Sequence, residues 1–416
     1  MGAAAGLFLA EATPWVVDRY IRNVGYVQIS AQTVSHNLNP GNWTWDGDGF
    51  TTNQFGHPYH GSFFFSAFRV NGYSFWQAAP AAFAGSYIWE TLAENQAPAP
   101  NDLINTGFGG VVLGEMTYRL ANRIISNHSR GAGRQASEVL ALLINPTNGL
   151  NRLLSGKWGK PPSGPAQRDS SPLSAEFDLG ARKFKANSEK GGYALYAHVR
   201  LLYGSPFENY AIPFTHIAIN AEFGKDDSSK INIISVYGSL AGWRVPSGPS
   251  SRHVVVLSAN YDYINNEAFF YSAQSIKANL ISEFRLTQRL RLNTSIGAGP
   301  VILSAVPDAY VYKERYYDYC TGAGFAGNFA LCLDKKLYYT INYRAGWLKT
   351  VNGNTSHYLL HAVTGELSYS FLKGWSITAE TGYFSLNAYY GSHDDIRKAY
   401  PYWRVSFRYT IGSRQR

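Results

Sequence analysis

The chain reads as mainly β: a transmembrane antiparallel β-barrel of about twelve strands, preceded by an α-helical domain that plugs it or caps its periplasmic opening. Three observations predict this. After about residue 172 the hydrophobic period changes from helical to two. Tyrosine (30), phenylalanine (23), tryptophan (10) and glycine (40) are abundant while mean hydropathy is only −0.21, as expected of strands that alternate lipid-facing and lumen-facing residues between aromatic girdles. No apolar run reaches the ~18 residues of a membrane helix without interruption. The longest candidate, Phe75 to Leu92, is broken by Gln77, Pro80 and Glu90 and reads as a buried helix.

Residues 1–52 form an N-terminal segment. Its first ten residues lack a basic region, so they read as the remnant of a secretion signal or the start of a mature chain; a barrel must be exported, and the precursor is expected to carry a signal. Trp15 to Tyr20 suggests a short helix. Trp43 to Phe50 is rich in turn residues, and Asp46 and Asp48 lack the glutamate that would complete a calcium loop, which leaves a polar loop.

Residues 53–156 form the helical domain. Pro58 suits a first helical turn, where its missing N–H costs nothing, and the helix it opens runs to Val70 before Asn71-Gly72. A second helix is expected from Ser74 to about Glu94, ended by Ala97-Pro98-Ala99-Pro100. Asn101 or Asp102 would cap a third, with Gly107, Gly109, Gly110 and Gly114 allowing close approach, and Arg119 to Arg123 as its terminal turn. Shorter helices follow at Arg134–Ile144 and Asn148–Leu154. Residues 157–171, rich in Pro, Gly and Ser, are the linker.

The barrel spans residues 172–412. Phe177, Leu179 and Ala181 alternate with Glu176, Asp178 and Arg182; Leu195, Ala197, Val199 and Leu201 with His198 and Arg200. Leu290, Leu292 and Ile296 alternate with Arg289, Arg291 and Asn293; Tyr339, Ile341 and Tyr343 with Thr340, Asn342 and Arg344; Trp403, Val405, Phe407 and Tyr409 with Arg404, Ser406 and Arg408. Strands of roughly 10 to 14 residues, with aliphatic and aromatic residues on one face and charges of both signs on the other, favour a membrane barrel over a soluble sandwich. The inward charges include Glu176, Asp178, Arg182, Arg200, Glu222, Lys277, Glu283, Arg285, Arg289, Arg291, Arg344, Glu366, Glu380, Arg404 and Arg408. Mixed signs in a narrow lumen either form ladders that hold it closed or line a selective aqueous pathway.

The net charge of +9 and pI of 9.3 come from scattered basic residues, which speaks against a nucleic-acid partner. Outer-membrane lipids and lipopolysaccharide are the expected anionic partners, with other envelope proteins beside them, and the bacterial outer membrane is the expected location. Cys320 and Cys332 either pair in an oxidising compartment or stand as two isolated buried thiols.

His57 and His60, three apart at a helix start, share a face and suit a divalent metal or acid–base work. Glu115 is the orienting carboxylate of that candidate catalytic set, and Glu90, Glu94, Asp102, Arg119 and Arg123 are expected to converge with it into one polar network, since buried charges are costly unless paired. The plainer reading has the two histidines locking helices through Glu115 or the backbone; a third has them holding a lipid headgroup. Ser35-His36-Asn37 only superficially suggests a nucleophile and base. His198, His216, His357 and His361 lack a neighbouring serine in the order that barrel phospholipases use.

The string Phe55-Gly56-His57-Pro58-Tyr59-His60-Gly61, followed by Phe75-Trp76, Pro80, Trp89-Glu90, Asn101-Asp102, Thr106-Gly107 and Gly114-Glu115, resembles the bacterial outer-membrane proteins grouped as domain of unknown function 3943. The resemblance covers roughly residues 50–155. It implies an exported outer-membrane protein of Gram-negative bacteria and brings no established reaction. The expected function is therefore a non-enzymatic barrel with a helical plug or cap, serving envelope organisation or gated passage. The alternative is a lipid- or lipopolysaccharide-modifying enzyme using the His57/His60 cluster; a soluble periplasmic binding module ranks behind both.

Overall fold

The computed structural model describes residues 2–162, 169–184, 193–208, 210, 212–224, 229–266 and 270–412. The chain divides into two units, Met1–Ser171 and Pro172–Arg416, a boundary at the end of the expected linker.

The first unit is helical: α1 (Ala3–Val16), α2 (Ala31–Asn37), α3 (His57–Arg69), α4 (Phe75–Ile88), α5 (Pro100–Ile104), α6 (Gly110–Ile125), α7 (Gly131–Ile144) and α8 (Pro146–Leu154). Pro58 sits in the first turn of α3 as its missing donor dictates. Ser74 starts α4 through a reciprocal box: its hydroxyl accepts the Gln77 N–H at 3.4 Å and its own N–H is accepted by the Gln77 side chain at 2.9 Å. Asn101 and Asp102 do not cap the third helix. The cap position is Ala99, with Pro100 opening α5, so both polar side chains lie inside the first turn and are buried. Arg119 to Arg123 is not a terminal turn either, because α6 continues to Ile125. The helix α4 is apolar all round but buries only one side; Trp76, Phe83 and Tyr87 are exposed. None of the described helices is long and apolar enough to cross a membrane.

Two glycines set how closely α3 and α6 approach. A methyl group on Gly61 would fall on the Thr106 carbonyl oxygen, and one on Gly110 would lie 2.5 Å from the Gly61 carbonyl carbon. Phe64, Phe65, Ala67, Phe75, Ala82 and Val112 fill the core around this contact. One ion-pair cluster pins this contact and a second joins α7 to α8. Glu115 of α6 accepts from Arg69 of α3 (2.6 and 3.0 Å) and from Arg119 (2.7 Å), while Glu138 of α7 accepts from Arg134 (2.9 Å) and Arg152 of α8 (2.7 and 2.8 Å). The two arginines hold Glu138 below the usual carboxylate range although burial opposes them.

The second unit is a closed antiparallel barrel of twelve strands. They are β1 (Leu173–Phe184), β2 (Tyr193–Tyr203), β3 (Ile217–Gly224), β4 (Ile231–Val245), β5 (Ser251–Asn265), β6 (Phe270–Arg285), β7 (Leu290–Tyr312), β8 (Arg315–Leu333), β9 (Leu337–Asn352), β10 (Ser356–Leu372), β11 (Trp375–Tyr390) and β12 (Ile396–Ile411). Each pairs with its sequence neighbour, and β12 closes on β1 with Phe177 opposite Tyr409 and Asp178 opposite Arg408. Strands of 8 to 23 residues vary more than expected, β3 being shortest and β7 longest. The chain enters β1 and leaves β12 at the end that carries the tight turns, such as Lys373-Gly374 between β10 and β11.

The alternation holds along the ladder. Leu179, Leu195, Trp347, Val405 and Phe407 point outward and are exposed, whereas Asp178, Arg182, Glu366 and Arg408 point inward and are buried. Inside, buried apolar residues from nine strands, among them Phe184, Val306, Leu348, Tyr358, Leu360, Leu386 and Tyr402, form a plug of side chains toward the end opposite the tight turns. Cys320 and Cys332 are both free and buried on the inward face of β8. Twelve residues of strand, about 40 Å, separate them, which excludes pairing.

Candidate functional site

Three segments far apart in sequence meet around His57. Each leaves the regular α-helix for a π-helical turn: Thr52–Gly56 leads into α3, Trp89–Ala93 extends α4, and Asn105–Gly109 joins α5 to α6. A π turn adds a residue to the repeat and re-aims the side chains beside it, and such turns recur at functional sites. The first delivers His57, the second carries Glu90, and the third follows Asp102 and holds Thr106. The Nδ1 of His57 lies 3.2 Å from the Thr106 hydroxyl, and its Nε2 lies 3.5 Å from Asp102 Oδ1. Asp102 Oδ1 also accepts from the Asn101 side chain at 2.8 Å, and Glu90 Oε2 accepts the Ala99 N–H at 3.2 Å. One donor atom each from His57, Glu90 and Asp102 falls within 4.8 Å of the others.

The surroundings are unusually acidic. Glu90 and Asp102 are both 4% exposed. Burial raises both carboxyls well above their usual range; after it, Glu94 is the strongest acidic neighbour of Glu90, and Glu90 that of Asp102, with Asp46 and Asp48 adding to each. Burial likewise pushes Glu94 up to about 7, against the hydrogen bond it accepts from the Trp89 indole. Burial, with His60 adding to it, lowers His57 to about 3, so its imidazole is neutral at pH 7. The polar loop at Trp43–Phe50 is held here as well, since the Asp46 N–H donates to Asn101 Oδ1 at 3.0 Å.

The sequence grouped these residues differently. His60 points elsewhere: its Nε2 lies 3.1 Å from the Ala10 carbonyl oxygen, and its ring packs edge-on to Trp89. Glu115 does not orient either histidine, because Arg69 and Arg119 hold it. Arg123 donates to the Ser171 carbonyl at 2.7 Å. The expected single network is thus two clusters, an uncompensated one at His57, Glu90 and Asp102 and a paired one at Glu115. Thr106, Asp46 and Asp48 were missed as members; nothing in their local spacing distinguishes them from loop and helix residues.

The inward charges of the barrel divide in the same way. Arg408 of β12 donates to Asp178 of β1 (2.5 and 2.9 Å) and Glu366 of β10 (2.8 and 2.9 Å), and Arg200 of β2 reaches Glu366 at 2.5 Å. Arg404 bonds Glu380 at 2.7 Å and Glu222 of β3 at 2.5 Å, and Arg182 bonds Glu222. Arg344 of β9 donates to Asp262 of β5 at 2.9 Å and lies 3.4 Å from Ser235 of β4. Arg289 does not face the lumen: it sits in the β6–β7 turn beside Asp334, 79% exposed. Arg291 lies at the tight-turn end opposite Cys332, and Arg285 is mostly exposed next to Glu283. His361 lies directly opposite Ser385 on the outward face, a proximity invisible in the sequence, but its Nδ1 bonds Tyr343 at 2.8 Å and no hydrogen bond between His361 and Ser385 occurs.

Residues 42–147 match the family model described as domain of unknown function (DUF3943). The matched stretch contains His57, Glu90, Asp102 and Thr106, so the buried acidic site lies wholly within the region similar to that family. Comparison with curated proteins finds no relative. Among solved structures, the NanC porin is similar over 56% of this chain and 98% of its own, with 8% identity and a TM-score of 0.31. The KdgM porin matches over 56% and 99%, at 14% identity and a TM-score of 0.26. The channel DcaP of Acinetobacter baumannii matches over 58% and 97%, at 8% identity and a TM-score of 0.27.

Proposed function

We propose that this chain is a bacterial outer-membrane protein whose barrel anchors it in the bilayer and is held shut by its own lumen side chains, serving envelope organisation or a passage that opens only when those side chains part. The outward face supports the membrane. On β9, Tyr339 and Trp347 stand eight residues, or about 27 Å, apart with Ile341, Tyr343 and Ala345 between them, and outward aromatic residues recur on β11 and β12 at Trp375, Tyr383, Trp403 and Tyr409. Exposed outward-facing Lys349 and Arg397, toward the end opposite the tight turns, suit the anionic phosphates of lipopolysaccharide.

The observation that carries closure is a pair of chords. Arg344–Asp262 joins β9 to β5 and Arg200–Glu366 joins β2 to β10, each skipping three intervening strands. Side chains bonded across a ring of twelve strands narrow the lumen at each chord, and this is what supports a closed resting state. In planar bilayers the wild type is expected to show no steady conductance, and the double variant Asp262→Ala/Glu366→Ala to conduct. A wild type that conducts steadily would refute closure.

The lipid-modifying reading is favoured by the buried His57–Glu90–Asp102 group alone. Mass spectrometry of outer-membrane lipids from cells producing wild type or His57→Ala protein decides it: a lipid changed by the wild type only supports an enzyme, and identical profiles with folded protein exclude one.

A further inference from the structure

We infer that His57, Glu90 and Asp102 form a three-ligand site for a divalent transition-metal ion, with a fourth coordination position left open. The argument begins with charge. Glu90 and Asp102 are more than nine-tenths buried, yet among the described residues no lysine or arginine pairs with either. The charged side chains that act on them, Glu94, Asp46 and Asp48, and Glu90 itself on Asp102, are all acidic. Elsewhere in the same unit, buried carboxylates are matched: Glu115 and Glu138 each take two arginines. A buried carboxylate pair without a cation is costly, and a bound cation removes that cost.

Hydrogen bonding gives an independent observation. A carboxylate offers about four lone-pair sites. Glu90 receives one donor, the Ala99 N–H on Oε2; Asp102 receives the Asn101 side chain on Oδ1, and Oδ2 receives none. Each therefore keeps an oxygen that no described donor occupies.

Geometry supplies the rest. Two ligands on a tetrahedral ion at ~2.0–2.2 Å are about 3.4 Å apart. His57 Nε2 and Asp102 Oδ1 are already 3.5 Å apart, and the third donor lies within 4.8 Å, a rotamer adjustment away. The Thr106 hydroxyl, 3.2 Å from Nδ1, holds Nε2 toward the acids in the way outer partners orient metal-bound histidines. One nitrogen and two carboxylates select zinc, manganese or iron over calcium and magnesium, which take oxygen ligands. Three protein ligands are the number found where a fourth position stays open.

The test uses the full chain without a histidine tag, folded in detergent and stripped with chelator. Zn2+ is added and read by titration calorimetry and by metal content after dialysis; Co2+ reports tetrahedral geometry in its visible spectrum. One Zn2+ per chain is expected, with a higher melting temperature. Asp102→Asn and Glu90→Gln keep shape and remove charge, so their metal-free melting temperature should hold or rise while the zinc-induced shift disappears. Thr106→Val should weaken binding about 10- to 100-fold. Wild type that binds neither ion, or Asp102→Asn and Glu90→Gln variants that bind Zn2+ as the wild type does, would overturn the site.

Discussion

Arg408 is the residue on which the barrel interior can be tested most sharply. Its side chain is fully buried and donates to Asp178 and Glu366, with Glu176 at 3.5 Å. The surrounding network holds five carboxylates (Glu176, Asp178, Glu222, Glu366, Glu380) and four arginines (Arg182, Arg200, Arg404, Arg408). Arg408→Met leaves five acids against three arginines and takes the main partner from Asp178. Arg200 offsets only part of this, since it approaches Asp178 at 3.4 Å against 2.5 Å for Arg408. Breaking a buried pair by removing one partner costs about 3–5 kcal/mol, whereas an exposed pair contributes about 0–1. Denaturant unfolding of the refolded protein in micelles should therefore show a loss of about 3–5 kcal/mol for Arg408→Met. Most of it should return in Arg408→Met/Asp178→Asn/Glu366→Gln, because neutral groups of similar shape need no cation. A single variant within about 1 kcal/mol of wild type would refute the reasoning, for it would mean that water screens the network as it screens a surface pair.

Other expectations concern the helical unit. Gly61→Ala should cost about 3 kcal/mol or more, since the added methyl meets a backbone carbonyl that cannot turn aside, while Gly133→Ala, whose methyl meets only Ser129 Cβ at 3.5 Å, should stabilise by about 0.5–1 kcal/mol; thermal melts compare them. Burial raises Glu11 to about 8, and neither of its carboxylate oxygens has a hydrogen-bond partner among the described residues. Folding then binds a proton that the unfolded chain has lost, so stability should fall from about pH 4.5 to about 8, by ~3 kcal/mol at pH 7, and Glu11→Gln should flatten that slope in a series of melts. Glu138 has the opposite sign: its lowered pKa contributes stability above the unfolded value that is lost as pH falls through the folded one, and Glu138→Gln should remove that acid-side loss in the same series.

Much of the fold was legible because its signals are local. Side chains alternate along a strand wherever the strand pairs, so Leu179 outward and Asp178 inward follow from sequence order alone. Pro58 and Ser74 act on the backbone beside them and were placed correctly. Asn101 and Asp102 were misplaced because Pro100 takes the helix start and turns both side chains inward, where burial and neighbours outweigh capping preference.

The sequence by itself determined that a helical region precedes a barrel, that the barrel alternates with period two through about twelve segments, and that ionisable residues lie among the apolar helices. It could not determine which of those residues meet. His57 is drawn to Asp102 across 45 positions, and Arg344 to Asp262 across 82, by packing and ladder register that no local pattern encodes. Glu115 and Glu90 look alike in sequence, each an acid within an apolar helix. Only the tertiary structure gives one two arginines and leaves the other among acids, because the balance of buried charge is set by what folds beside it.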